Sequence, residues 1–81
     1  MDTADVLPEV LEELRRKANI TQETLAEATG IPKATLQRRL GPYDQIRFKE
    51  LARIAQFFGK KPSEISAIAE ARSTDFGPVQ Q

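Results

Sequence analysis

The chain contains no cysteine, no histidine and no tryptophan, and only one tyrosine. Without cysteine there is neither a disulfide framework nor a thiolate metal site. Without histidine, the commonest general base and the commonest metal ligand are both missing. No apolar run approaches the roughly 20 residues a membrane-spanning helix needs, and the N-terminus lacks the basic-then-apolar pattern of a secretion signal. These absences predict a cytoplasmic chain with no metal, no cofactor and no membrane partner. Carboxylates remain, but they are scattered over outward helix faces, so catalysis has little to stand on and the chain reads as a non-enzyme. What is present is 81 residues, enough for one small core and not for two.

Charge is balanced over the whole chain, with 12 Lys and Arg against 12 Asp and Glu. The layout is not balanced. Residues 1–32 carry seven acids against three bases, a net of −4, and residues 62–81 carry three acids against Arg72, a net of −2. Between them, residues 33–61 carry eight bases against Asp44 and Glu50, a net of +6. Such asymmetry predicts a basic face on an acidic body, where a polyanion would sit.

Apolar residues recur with helical period, and strand signals are nearly absent, so an all-α domain is expected. A first helix carries Leu7, Val10, Leu11, Leu14 and Ala18 on one stripe, with Asp5 as N-cap and Pro8 in its first turn. Thr21 caps a second, short helix that turns Leu25, Ala26 and Thr29 inward, and Gly30 closes it in a left-handed conformation. A third helix runs from Lys33 to Leu40 and is stopped by Gly41 and Pro42. The fourth, from Phe48 to Phe58, is predicted to bury Phe48, Leu51, Ile54, Ala55 and Phe58, with Gly59 at its end. A fifth starts near Pro62 and carries Ile65, Ile68 and Ala69. Residues 1–72 form the domain, and residues 73–81, which have no period, form a loose tail.

The third helix is the unusual one. With Leu36 and Leu40 inward, about 100° per residue points Ala34 and Arg38 away from the core. Thr35 and Gln37 flank them, and Lys33 stands at the N-terminal end. Small residues mixed with arginine, glutamine and lysine suit a close approach to base edges and phosphates. The same face also reads as an ordinary solvated surface.

Spacing separates the two readings. Gln22, Leu25, Ala26, Gly30, Ile31 and Leu36 stand in the register of the bacterial and phage helix-turn-helix proteins that include lambda repressor and Cro. In that pattern a glutamine opens the first helix of the motif, and an alanine four later lets the two helices approach. A glycine four further on takes the turn, and an apolar residue six beyond it locks the recognition helix. "TQETLAEATGI" resembles this closely, and "FKELARIAQFFGKKPSEI" resembles the fourth and fifth helices of the same domain. The resemblance implies a five-helix domain whose second and third helices form the motif. It further implies a DNA-binding regulator of transcription in a bacterial or phage-infected cell, most simply a phage-type repressor or a Cro-like protein. An antitoxin-like module, with a protein as its main partner, is the alternative, although the nine residues after Arg72 make a poor partner-binding tail.

Carried onto this sequence, the resemblance implies that Gln22 and the start of the second helix meet a phosphate. Lys33, Ala34, Thr35, Gln37 and Arg38 match the positions that face the major groove of double-stranded DNA. Arg39, Tyr43, Arg47 and Lys49 would grip the backbone beside it, although Tyr43 reads equally well as a surface tyrosine packed on its loop. Lys60 and Lys61 read as solvated. Three positions depart from the pattern. Pro32 replaces a small hydroxyl residue, and Leu40 replaces an acid that would pair with Arg15, which leaves Arg15 without that partner. Arg47 replaces a hydroxyl cap, which leaves the start of the fourth helix open to a phosphate. Related domains often dimerise through the fifth helix; here its narrow stripe suits a monomer as well as a homodimer.

Overall fold

A computed structural model of the chain describes residues 3–41 and 44–74. It contains α1 (Thr3–Lys17), α2 (Gln22–Thr29), α3 (Lys33–Arg39), α4 (Phe48–Phe57) and α5 (Pro62–Thr74), with no strand among the described residues. Five helices in an all-α domain are what the periodicity and the resemblance predict. α3 and α4 each end one residue before the expected Leu40 and Phe58, and the larger differences lie at α1 and α5. α1 begins at Thr3, so Asp5 is an acid of the first turn rather than its cap, and Pro8 lies inside the helix. There Pro8 forgoes one backbone hydrogen bond. α5 continues through Ser73 and Thr74, two residues past Arg72; the rest of the expected tail lies outside the described residues.

Local chemistry fixes where α1 and α4 stop. Beyond α1, Asn19 takes φ 59°, its amide donates to the Arg16 carbonyl, and the Ile20 amide reaches back to Arg15. Beyond α4, Gly59 does the same at φ 68°, with bonds from Gly59 to Gln56 and from Lys60 to Ala55. Both are left-handed closures that satisfy the last carbonyls of a helix. This explains why Ala18, expected inside, is exposed: the helix ends just before it.

The core collects Val6, Val10 and Leu11 from α1, Leu25 and Ala26 from α2, Leu36 and Leu40 at α3, Leu51, Ile54 and Ala55 from α4, and Ile65 and Ala69 from α5. Val6, absent from the predicted stripe, is buried, while Leu7 is only partly covered. Phe48 is the clearest departure. It is 73 % exposed, because the first turn of α4 overhangs the edge of the core that Leu51 and Ile54 enter. α1 packs most extensively against α5, and a two-pronged ion pair from Arg72 to Glu13, at 2.6 and 2.9 Å, joins them.

Arg15 has a partner after all. Its Nε and Nη2 donate to the Glu12 carboxylate at 2.7 and 3.0 Å, and its Nη1 donates to the Ile20 carbonyl at 2.8 Å. One side chain thereby ties α1 to the chain leading into α2. The Arg15 hydrogen bonds hold the Glu12 carboxyl below its ordinary 4.5, against the opposing effect of burial. A lowered folded-state pKa contributes stability that is present above the ordinary carboxylate range and is lost as pH falls through the lowered value. Glu12→Gln should therefore melt at a lower temperature than wild type near neutrality. Between about pH 5 and about pH 3 its midpoint should fall less steeply. Parallel acid profiles of the two proteins would dismiss this coupling.

Candidate nucleic-acid interface

The turn between α2 and α3 is built from both sides. At the start of α2, Thr21 sits in extended backbone and its Oγ1 accepts the Thr24 amide at 3.0 Å, a helix cap of the ordinary kind. At its end Gly30 takes φ 76° and its amide donates to Ala26. Thr29 is the buried polar group beside it. Its Oγ1 donates to the Leu25 carbonyl at 2.8 Å and accepts the Ile31 amide at 3.4 Å, joining the end of α2 to the segment that leaves the turn. Ile31 is buried, Pro32 precedes α3, and fully buried Leu36 locks that helix down. Ala26, buried and small, permits the close approach of the two helices.

Held this way, α3 presents Lys33, Ala34, Gln37 and Arg38 to solvent, with Thr35 partly covered. Arg47 and Lys49 are exposed at the start of α4. Gln22 is half-buried at the start of α2, where its Nε2 lies 3.4 Å from Glu12. Tyr43 lies outside the described residues.

Arg39 is placed differently from the backbone grip expected of it. Its side chain is only 12 % exposed. Nε donates to Glu50 at 2.8 Å and Nη1 to Asp44 at 3.1 Å. A guanidinium held by two carboxylates braces α3 against α4. Glu50 in turn accepts the Arg47 amide at 2.9 Å. Burial opposes its charge, but the Arg47 amide and then Arg39 hold its carboxyl below the ordinary range. Glu50 thus ties down the amide of Arg47, the residue before α4, and sets a carboxylate beside the start of that helix. Asp44 also pairs with Arg38, at 2.8 Å.

Arg53, one of the eight bases of residues 33–61, has no contact assigned to it from the sequence. Arg53 is exposed on α4, and its Nη1 lies 3.9 Å from where a β-carbon on Gly30 would stand. With Arg47 and Lys49 it borders a hollow over Gly30, Ile31 and Pro32. The signal was available, since Lys49 and Arg53 are four apart and share a helix face.

No group of residues that could hold a metal ion occurs among the described residues, and no helix there is long and apolar enough to cross a membrane. No curated protein and no solved structure matches the chain. A helix-turn-helix family model does match, over residues 11–65, from the second half of α1 into α5. With more than half its length matched and the α2–turn–α3 unit in place, the chain belongs to the Cro/C1-type helix-turn-helix family of DNA-binding regulators.

Proposed function

We propose that the protein is a sequence-specific regulator of transcription, of the phage repressor or Cro-like kind, that inserts α3 into the major groove. The observation carrying this reading is the division of α3. Leu36 and Leu40 are buried, while Lys33, Ala34, Gln37 and Arg38 stand outward without serving the core. Lysine, glutamine and arginine supply donors for base edges and phosphates, and Ala34 offers a methyl-sized contact that a thymine can meet. Gln22, at the start of α2, is assigned to a phosphate on one side. Arg47 and Lys49, with Arg53 added, are assigned to the backbone on the other. Repression needs only occupancy of a promoter by such a domain.

Assembly follows the same residues. Ile65 and Ala69 are buried within the domain and Ile68 is partly covered, so α5 has little apolar surface left for a second copy. We infer that one domain reads one half-site. Selection of bound duplexes from a random pool tests both readings. A single short consensus is expected. A palindrome with centres about one helical turn apart would replace the monomer by a dimer, and no consensus at all would remove sequence-specific regulation.

Backbone contacts are tested by salt. Arg47→Ala and Lys49→Ala should each weaken binding to all duplexes alike and lower the slope of log K against log salt by about one. Arg39→Ala should instead lower the melting temperature, because it leaves Glu50 and Asp44 without their shared cation. Slopes unmoved by the first two changes would withdraw the clamp.

A further inference from the structure

We propose that Asp44 masks Arg38, drawing its guanidinium away from DNA so that reading a base requires the pair to break. The inference rests on the assignment of α3 to the major groove.

Three observations carry it. Arg38 Nη2 bonds Asp44 Oδ2 at 2.8 Å, which directs the most outward side chain of α3 toward the loop before α4. The same oxygen takes Arg39 Nη1 at 3.1 Å, and Arg39 is itself fixed by Glu50 at 2.8 Å. Asp44 is therefore anchored to the body of the domain, whereas Arg38, with 64 % of its side chain exposed, is free to leave. Finally, Thr35, Arg38, Arg39, Asp44, Gln45 and Arg47 border one open hollow between α3 and α4. That hollow lies beside the assigned backbone contacts, and a carboxylate there opposes an approaching phosphate.

The consequence is thermodynamic. In the free protein Arg38 gains from its pair, so whatever it gains from DNA is reduced by the same amount. Removing the carboxylate restores the difference. An exposed pair of this kind sets a ceiling of about fivefold on the gain. The gain belongs to Arg38, so it should vanish when Arg38 is absent. A plain through-space effect of the Asp44 charge would persist without Arg38.

Asp44→Asn tests this while keeping a side-chain oxygen that can accept from Arg39. Affinities for a selected duplex should be measured for wild type, D44N, R38A and the double variant at one salt concentration. Masking predicts tighter binding by D44N, by up to about fivefold, and little or no tightening when the same change is made in R38A. Equal tightening in both backgrounds would overturn it in favour of bulk charge. Weaker binding by D44N would overturn it too, since Asp44 would then be orienting Arg38 for the groove. Thermal melting checks that D44N is folded, and Asp44→Ser repeats the comparison if it is not. Failure of every protein, wild type included, to bind any duplex would remove the DNA reading itself and the masking with it. A wild type that binds, with no coupling between 38 and 44, would remove the masking alone.

Discussion

Gly30→Val should destabilise the domain by about 1–3 kcal/mol, through the backbone rather than through a clash. Gly30 stands at φ 76°, where a β-branched residue is a genuine outlier. Space is not the obstacle. The nearest atom to an added β-carbon would be Arg53 Nη1, at 3.9 Å, an ordinary contact at the far end of a flexible side chain. The cost is then conformational, and in a domain of this size each kcal/mol corresponds to about 4–8 °C of melting temperature. Gly30→Asn provides the internal comparison, because asparagine enters the left-handed region more readily than other side chains. Its midpoint should fall between those of wild type and Gly30→Val. Equal losses for the two variants would mean that crowding, not φ, governs the position, and an unchanged midpoint for valine would mean that the turn is not strained at all.

Gly30 also shows what kind of information the sequence carries. Thr21, Gly30, Gly59, Leu36 and Leu40 were legible because each acts on neighbours within a turn or two, where helix geometry alone fixes the outcome. Asn19 performs the same closing role as Gly59, yet asparagine is common in so many settings that it gives a weaker signal. Phe48 was misread for a related reason. Its spacing from Leu51 and Ala55 identifies the apolar face of α4, but spacing does not say where the core ends along the helix axis. The arginines were least legible. Arg38, Arg39, Asp44 and Glu50 are brought together by the path of the loop before α4, across separations of up to 11 residues. Helix face alone separates Arg38 from Arg39 poorly, whereas their partners distinguish them: Arg38 has only the partly exposed Asp44, and Arg39 has that same carboxylate together with the covered Glu50.

That distinction shapes the expected result for Arg38→Ala. The melting temperature should barely move, because a pair with one partner 64 % exposed contributes at most about 1 kcal/mol. Binding should respond much more. Arginine is best placed to meet O6 and N7 of a guanine, and losing such a contact costs about 1–3 kcal/mol on the preferred duplex. Random duplexes offer phosphates but no matched base, so their loss should be smaller. Competition titrations of wild type and variant against both duplexes at one salt concentration give the two losses directly. If they are equal, Arg38 is another phosphate contact and the reading of sequence falls to Lys33 and Gln37. If neither changes, the outward face of α3 is only solvated and its assignment to the groove fails. The measured loss is a net value, because the free wild-type protein already gains from the Arg38–Asp44 pair. The same substitution made in Asp44→Asn should therefore cost more affinity than it does in wild type, by up to about fivefold.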